Sequence, residues 1–384
     1  MNQDVYNEGT INLQGEGGIG IGILHSIEKV EVGGIINVKA NKSVGVFAGV
    51  PTLPVKVGEN DTMGNKNTTG VTIGTETTEA NGKINLRQNA TGSIGLLVGD
   101  SAEDLNKGSL NGVANQVRQL LRSGSITYKA STDGKINVDG NENYGFVVNS
   151  ESYSSEFKGA LDDLTQSKNN KTTHGRGINE GKIEVVGTKS IGFALLKGGD
   201  SENTGSITVG EPAENSIGFY GEQDKFTNKG TIEVGNNAVG IYGYSVNNEN
   251  GGLIYAKDNG VAIYTHDTGT SVNLDSGSTV RVGNNQAVGV YSVGTNQNIN
   301  VNSGSTVNIG NNSFGFVNAG NGNSITSRAN GITIGNDTVY VYQNDKNGKV
   351  FNYTPITSSS DNNYALYGNG LMENYGAIDF STGT

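Results

Sequence analysis

Short stretches in which apolar and polar residues alternate recur along the whole chain, and turns rich in Gly and Asn separate them. In Asn228–Gly243, Ile232 and Val234 alternate with polar neighbours, a Gly-Asn-Asn turn follows, and a second alternation begins at once. A period of two is typical of half-buried β-strands, and Gly and Asn tolerate the positive φ of tight turns. The pattern predicts a repeated unit of two or three short strands.

A glycine precedes the first predicted strand of each unit and marks its start. These glycines are Gly9, Gly34, Gly82, Gly134, Gly181, Gly205, Gly230, Gly252, Gly277, Gly304, Gly331, Gly348 and Gly376. Many intervals are roughly 25 residues, and repeats of roughly 20 to 50 residues indicate a solenoid. Because the unit shows strands and no helix pattern, we predict one right-handed parallel β-helix of about 13 rungs over residues 1–384.

The later strand of each unit carries a central Gly or Ala, as in Ser216–Tyr220, which predicts a bend or a close backbone approach. Tyr340 holds this central position in one unit, where we expect a distorted rung. Six later strands share a tyrosine in one slot, and we expect an aromatic column that stabilises the coil by self-stacking or binds a sugar or a partner. The column is Tyr220, Tyr242, Tyr264, Tyr291, Tyr342 and Tyr367.

Asparagine often stands two residues before the marker glycine. Stacked asparagines can hydrogen-bond along the axis of a β-stack, so we expect a ladder of these side chains. Its predicted members are Asn7, Asn179, Asn203, Asn228, Asn250, Asn302 and Asn374.

Four stretches interrupt the repeat, and the first three follow the later strand of consecutive units. The predicted insertions are residues 50–79, 99–132, 149–178 and 343–362. Apolar residues at helical spacing, such as Leu110, Val113 and Val117, predict short helices in the second and third of them. Since the first three leave equivalent positions, we expect them to project from one side of the rod.

Composition excludes several classes of partner and cross-link. The net charge is −11 at pH 7 and the pI is about 4.8, which argues against nucleic acid or an anionic membrane as partner. There is no cysteine for a disulfide or a thiolate metal site. No apolar run reaches the ~20 residues that span a bilayer, and the first residues lack a signal-peptide pattern. We therefore expect a segment of a longer protein.

Candidate catalytic and metal-binding residues are explained better by the repeat. Asp275–Ser278 resembles a serine-protease nucleophile motif, but Asn302–Ser305 fills the same slot of the next unit. His25, His174 and His266 lie in different units with no partner at i,i+4. We predict no catalytic residue, no resident metal and no cofactor.

Acidic clusters leave one question open. Asp139–Asn143 and Asp345–Gly348 loosely resemble calcium loops but lack the closing bidentate Glu, so ordinary turns are favoured and a weak Ca²⁺ site stays possible in principle. Asp162 and Asp163 are adjacent in a predicted helix and diverge by about 100°, so they do not form the carboxylate pair of a glycosidase.

The repeated motif NxGxIxVGxNSIGxY resembles the passenger domains of large type V autotransporter adhesins, particularly those of fusobacteria. The resemblance covers nearly the whole chain. It implies a parent protein with a cleaved signal peptide and a C-terminal outer-membrane barrel, which would be its membrane contact. It also implies an extracellular place on the bacterial cell surface and adhesion to a host-cell receptor protein, a glycan or another bacterium.

Two functions remain from different classes, besides a less favoured polysaccharide-active enzyme. In the first, the chain is an adhesin whose insertions recognise a partner, because loops on a rigid scaffold commonly carry recognition. Its candidate binding residues are Leu105, Arg118, Arg122, Phe157, Asp162 and Asp163. In the second, the chain is a passive spacer that holds a distal binding tip away from the cell.

Overall fold

A computed structural model of the chain describes residues 5–23, 29–49, 68–73, 82–99, 125–130, 134–149, 176–197 and 201–380. Within those ranges every regular element is a β-strand, and the strands coil into a parallel β-solenoid. The all-β parallel solenoid predicted from the alternation and the repeat is therefore confirmed. The right-handed winding stays a prediction.

Each rung consists of three short strands, and equivalent strands of successive rungs form three columns. The first column contains β1 (Val5–Asn7), β4 (Lys29–Val32), β7 (Thr68–Ile73), β10 (Ser125–Ala130), β13 (Arg176–Glu180), β16 (Ser201–Asn203), β23 (Ser271–Leu274), β26 (Asn298–Val301), β29 (Ser324–Ser327), β32 (Lys349–Asn352) and β35 (Leu371–Asn374). The second column contains β2 (Thr10–Leu13), β5 (Ile35–Val38), β8 (Lys83–Leu86), β11 (Lys135–Val138), β14 (Lys182–Val185), β17 (Ser206–Val209), β19 (Thr231–Val234), β21 (Leu253–Ala256), β24 (Thr279–Val282), β27 (Thr306–Ile309), β30 (Ile332–Thr333), β33 (Ile356–Thr357) and β36 (Ile378–Asp379). The third column contains β3 (Ile19–Ile23), β6 (Val44–Gly49), β9 (Ile94–Gly99), β12 (Tyr144–Asn149), β15 (Ile191–Lys197), β22 (Val261–Thr265), β25 (Val288–Ser292), β28 (Phe314–Asn318), β31 (Val339–Gln343) and β34 (Tyr364–Gly368).

The columns hydrogen-bond along the rod as two long sheets and a short one. Two longer strands, β18 (Ile217–Asn228) and β20 (Val239–Asn248), each contain a third-column strand and the first-column strand of the next rung. The first and third columns consequently form one 23-stranded sheet. The second column forms a 10-stranded sheet, which a 3-stranded sheet continues beyond the bridge between Ile309 and Ile334.

The core is a continuous stack of inward side chains. In the second column, Ile207 and Ile232 lie opposite each other and are fully buried. Deeper in the same rungs, Phe193 packs edge-on against Phe219 with ring centroids 5.2 Å apart, and Phe219 stacks on Phe226 at 3.6 Å. Because each rung needs few inward side chains, a chain that is 33% hydrophobic can fill this core.

The central glycine of the third column brings successive backbones into close approach. A Cβ added to Gly218 would lie 2.6 Å from the carbonyl oxygen of Gly240, and one added to Gly192 would lie 2.8 Å from that of Gly218. Real Cβ atoms do not come that close to a backbone oxygen. The close approach expected at this position is observed, and it explains the preference for glycine there.

Tyr340 occupies the same central position, and the rung accommodates it without a break in pairing. Its ring is fully buried and packs edge-on against Phe316, with centroids 5.5 Å apart. Its hydroxyl hydrogen-bonds with Ser327 Oγ at 2.6 Å, and Ser327 Oγ hydrogen-bonds with Thr354 Oγ1 at 2.6 Å. Ser327 stands opposite Val301 of the preceding rung, so a smaller side chain leaves room for the phenol. The rung is therefore not distorted as the sequence led us to expect, because Ser327 leaves space for the ring of Tyr340 and hydrogen-bonds to its hydroxyl.

At the corner between the second and third columns, one residue of each rung has a left-handed backbone conformation. The φ angle is 52° at Lys189, 56° at Asn215 and 54° at Asn237. The N–H of Lys189 donates to the carbonyl of Glu214, and that of Asn215 to the carbonyl of Asn237, both at 3.0 Å. The Gly/Asn-rich turns therefore hydrogen-bond to one another along the rod, as the strands do.

A fully buried asparagine ladder runs along the ends of the first column. Asn179 Nδ2 donates to Asn203 Oδ1 at 2.7 Å, Asn203 to Asn228 at 2.7 Å, and Asn228 to Asn248 at 2.8 Å. The ladder was expected, but Asn248 is its fourth member in place of Asn250, because the strand reaches the corner two residues earlier in that rung.

The other predicted ladder members lie outside this run of four. Asn374 shares its register position, where it accepts a hydrogen bond from Asn352, but Leu274, Val301 and Ser327 interrupt the column between Asn248 and Asn352. Asn302 donates to Asp275 in a turn, and Asn7 donates to a backbone carbonyl two residues away. The spacing from the marker glycine therefore does not place Asn7 and Asn302 in this column.

The described ends of the predicted insertions are first-column strands. β7 lies inside 50–79, β10 inside 99–132, and β13 begins inside 149–178. The stretch 343–362 contains β32 and β33, which pair with β29 and β30, so it belongs to regular rungs. Gly348 accordingly precedes a first-column strand. The two predicted helices lie outside the described residues.

Asn228→Ala should reduce the free energy of unfolding by about 1–3 kcal/mol, because it leaves buried amide groups of Asn203 and Asn248 without their partner. Asn273→Ala is the matched control: Asn273 belongs to a half-buried ladder with Asn247 and Asn300, where water replaces the lost bonds. Urea denaturation followed by circular dichroism measures both. Equal losses in the two variants would contradict the role of the buried ladder.

Tyr340→Phe should reduce the free energy of unfolding by about 1 kcal/mol at neutral pH through loss of the hydroxyl bond to Ser327. Burial raises the pKa of Tyr340 in the folded state. The stability that comes from this raised pKa is fully present below the pKa of about 10 that tyrosine has in the unfolded chain. It is lost progressively as the pH rises above that value. The variant should therefore lose less stability than the parent above about pH 10, whereas Tyr353→Phe, at a half-exposed ring, should behave as the parent.

Candidate functional site

Three long connections start and end on stacked residues. The third-column strands β6, β9 and β12 finish at Gly49, Gly99 and Asn149, which pair with one another across the rungs. The chain re-enters the first column at paired positions, where Ser125 lies between Thr68 and Arg176. The connections between them are residues 50–67, 100–124 and 150–175. Their stems therefore leave and rejoin the rod along one edge.

The same corner is short in later rungs. Residues 266–270 join β22 to β23, and residues 293–297 join β25 to β26. β18 and β20 pass through the corner without leaving the sheet. The length of the connection is therefore not required for the rod to turn this corner.

The six candidate binding residues all belong to the second and third long connections. They lie outside the described residues, so their surroundings stay a prediction. They are Leu105, Arg118, Arg122, Phe157, Asp162 and Asp163.

The structure brings four of the six predicted column tyrosines into one stack. Tyr220, Tyr242, Tyr264 and Tyr291 have successive centroid distances of 5.2, 5.1 and 5.7 Å and nearly parallel rings. Val317 takes the next position and interrupts the column. Beyond it, Tyr342 and Tyr367 form a second stacked pair at 5.7 Å.

Ring stacking limits what the tyrosine column can bind. Tyr242 and Tyr264 each have a ring on both faces, so neither face is open for a sugar. The ring of His266 also lies 4.7 Å from that of Tyr242. Desolvation raises the pKa of Tyr264, in keeping with a ring that is half buried in the stack. The inner column is built to support the coil, and its outward groups are ring edges and hydroxyls.

His266 packs beside the tyrosine column. Its Nδ1 lies 3.5 Å from Asp267 Oδ1, and its buried Nε2 has no hydrogen-bond partner within the described ranges. Ser276, the serine of the protease-like motif, lies in an exposed turn in which the N–H of Gly277 donates to the carbonyl of Gly304. The motif is therefore a turn repeated on the next rung. His25 and His174 lie outside the described residues.

Both calcium-loop candidates use their oxygens within the fold. Asp345 accepts the N–H of Asn347 at 2.8 Å and that of Asn323 at 3.2 Å, one on each carboxylate oxygen. Asn143 is buried, where it accepts the N–H of Ser93 and donates to the carbonyl of Ala90. In the described part of the chain, no group of three or more His, Asp or Glu side chains converges on a metal position.

The second column also carries a row of lysine side chains that was not predicted from the sequence. Lys83, Lys135 and Lys182 each follow a marker glycine and take the same outward position on consecutive rungs. The signal was present in the motifs GKINL, GKINV and GKIEV. A single surface lysine does not predict a binding site, and only the register of the paired strands shows that the three lysines lie in a row.

Comparisons with known proteins add little to these observations. No family model matches the sequence, and no curated protein matches it significantly. A solved structure, the crystal structure of a TibC-catalysed, hyper-glycosylated fragment of TibA, residues 55–350, is similar over 98% of this chain and 100% of that chain. The identity is 11% and the TM-score is 0.33, so this likeness carries no argument about function. Across the described ranges, no helix has the length and apolarity to cross a membrane.

Tyr264→Ala should lower the free energy of unfolding by about 1–3 kcal/mol, because it removes two stacked neighbours at once. Tyr264→Phe keeps the stack and should remain within about 0.5 kcal/mol of the parent. Thermal and urea unfolding measure both variants. A destabilised Phe variant would show that the hydroxyl, rather than the stack, is what matters.

Proposed function

We propose that this chain is the rod of an extracellular adhesin, displayed on the bacterial cell surface, whose stacked connections recognise a partner. The observation that carries the proposal is the common edge from which residues 50–67, 100–124 and 150–175 leave the rod. Regular rungs satisfy their own hydrogen bonds and apolar surfaces. Long connections that the coil does not need are therefore the segments available for binding.

Stacking gives these connections a common geometry. Parallel strands in neighbouring rungs lie about 4.8 Å apart, so the three stems fall within about 10 Å along the axis. Segments anchored this closely can form one composite surface and contact a single large partner. The resemblance of the repeat to type V adhesin passengers, fusobacterial ones in particular, fits this arrangement. The partner would be a host-cell receptor protein, a host glycan or a second bacterium.

The proposal involves no catalytic step and no cofactor. Passive spacing is the competing function, in which the rod separates a distal tip from the cell and the connections are dispensable. Within the described residues, no observation favours a polysaccharide-active enzyme.

The chain itself supplies the replacement for a decisive experiment. In the test variant, residues 100–124 and 150–175 are each replaced by the sequence of residues 293–297, which joins β25 to β26 at the same corner. In the control variant, the same five residues replace residues 266–270, the short connection that joins β22 to β23 at the same corner. Both should keep the β-sheet circular dichroism spectrum of the parent.

Binding of the purified chains to epithelial cells and to partner bacteria is then compared by flow cytometry. The test variant should lose at least about tenfold in affinity, while the control keeps it. A galactoside that competes identifies a glycan partner, and a free amino acid that competes identifies a protein partner. Full binding by the folded test variant would contradict the proposal and favour the spacer.

A further inference from the structure

Positive charge is concentrated on one face of an acidic chain. The net charge is −11, yet the outward side of the second column in rungs two to five carries five cations. They are Lys39, Lys83, Arg87, Lys135 and Lys182. The carboxylates on this stretch of face are Asp139 and Glu184.

The cations form two parallel rows. Lys83, Lys135 and Lys182 occupy one register position on rungs about 4.8 Å apart. Lys39 and Arg87 occupy the position directly after the strands, four residues further along, or about 13 Å away. Asn37, Asn85 and Asn137 lie between the rows and hydrogen-bond to one another.

Neutralisation of these cations is incomplete. Lys135 pairs with Glu184, but no carboxylate in the described ranges pairs with Lys39, Lys83 or Arg87. Like charges stacked on neighbouring strands destabilise a sheet. The face therefore holds charge that an external anion would neutralise.

The same solenoid neutralises cations elsewhere. Lys257 follows its second-column strand at the position equivalent to that of Arg87, and it bonds to Glu233 at 2.9 Å. Lys229 bonds to Glu202 at 3.0 Å. Hydrogen bonds to these carboxylates raise the pKa of both lysines. These two lysines of later rungs therefore have carboxylate partners that Lys39, Lys83 and Arg87 lack.

One cation of the face is already oriented. Asn37 Oδ1 accepts hydrogen bonds from Arg87 Nε at 3.2 Å and Nη2 at 2.7 Å. These two bonds hold the planar guanidinium and leave further N–H donors for an anion. Arg87 lines a surface concavity of about 340 Å³ with Lys39, Gln88, Asn89 and Asp139. Amides and cations therefore meet in one shallow site.

We propose that this face binds a linear sulfated glycan. Sulfate groups would pair with the two cationic rows, and the exposed amides of Gln88 and Asn89 would bond to sugar hydroxyls. Single-stranded nucleic acid fits less well, since this stretch of face presents no aromatic side chain for base stacking. The site lies on regular strands, so it is distinct from the stacked connections and adds to the adhesin function.

Heparin is the probe, and the full chain is titrated at low and at physiological salt by isothermal titration calorimetry. Lys39→Gln/Lys83→Gln/Lys182→Gln should weaken binding at least about tenfold. Lys225→Gln/Lys229→Gln/Lys257→Gln removes the same charge from other rungs and should change the affinity by less than about twofold. Circular dichroism verifies that both variants are folded.

Three results would overturn the proposal: equal weakening in the two triple variants, no heparin binding at low salt, or tighter binding of single-stranded DNA than of heparin. The variant in which the long connections are replaced should still bind heparin. That variant should lose cell binding and keep heparin binding. The triple lysine variant should lose heparin binding and keep cell binding, so the two functions can be tested separately.

Discussion

Parallel hydrogen bonding between successive rungs is the interaction on which the rest of this structure depends. It sets each side chain about 4.8 Å from its equivalents above and below, so every position must be compatible with copies of itself. Isoleucine stacks on isoleucine in the core, as Ile207 does on Ile232. Buried asparagine side chains hydrogen-bond to one another, and tyrosine rings stack on one another. The sequence repeat is the consequence of this requirement, because residues that differ widely in size or polarity need local compensation to share a column.

Three features of the chain do not follow this stacking of like residues, and each needs a separate explanation. Tyr340 enters a column of small residues and is compensated by Ser327 and a hydroxyl chain. In the lysine row, Lys135 pairs with Glu184, whereas Lys83 has no carboxylate partner among the described residues. The long connections exceed what the corner needs. The first departure is resolved inside the fold, and the other two point outward. A rod that stabilises itself by repetition leaves function to the positions where repetition stops.

Much of the fold follows from the sequence, and the exceptions have physical reasons. Alternation identified most strands of the second and third columns because most of them have two or more apolar inward residues, whereas the two-residue β33 was included in a predicted insertion. Among first-column strands, β16 is three residues long and polar, so it shows no period, and the longer β7 and β10 were included in predicted insertions. The tyrosine slot was correctly aligned by its motif, whereas Asn250 was misplaced because the turn between β20 and β21 is two residues longer than the turn between β18 and β19. The candidate residues from Leu105 to Asp163 rest on helical spacing in segments outside the described ranges. The lysine row needed the register, which no single motif contains.

Hydrogen–deuterium exchange measured peptide by peptide tests the claim that inter-rung stacking holds the rod together. The account predicts slow exchange that is nearly uniform along the second column from β5 to β27, because each of these strands hydrogen-bonds to a strand on both sides. Asn228→Ala should accelerate exchange in the rungs on both sides of the substitution. Exchange of these strands near the rate of an unfolded chain, or an effect confined to the substituted rung, would contradict the account.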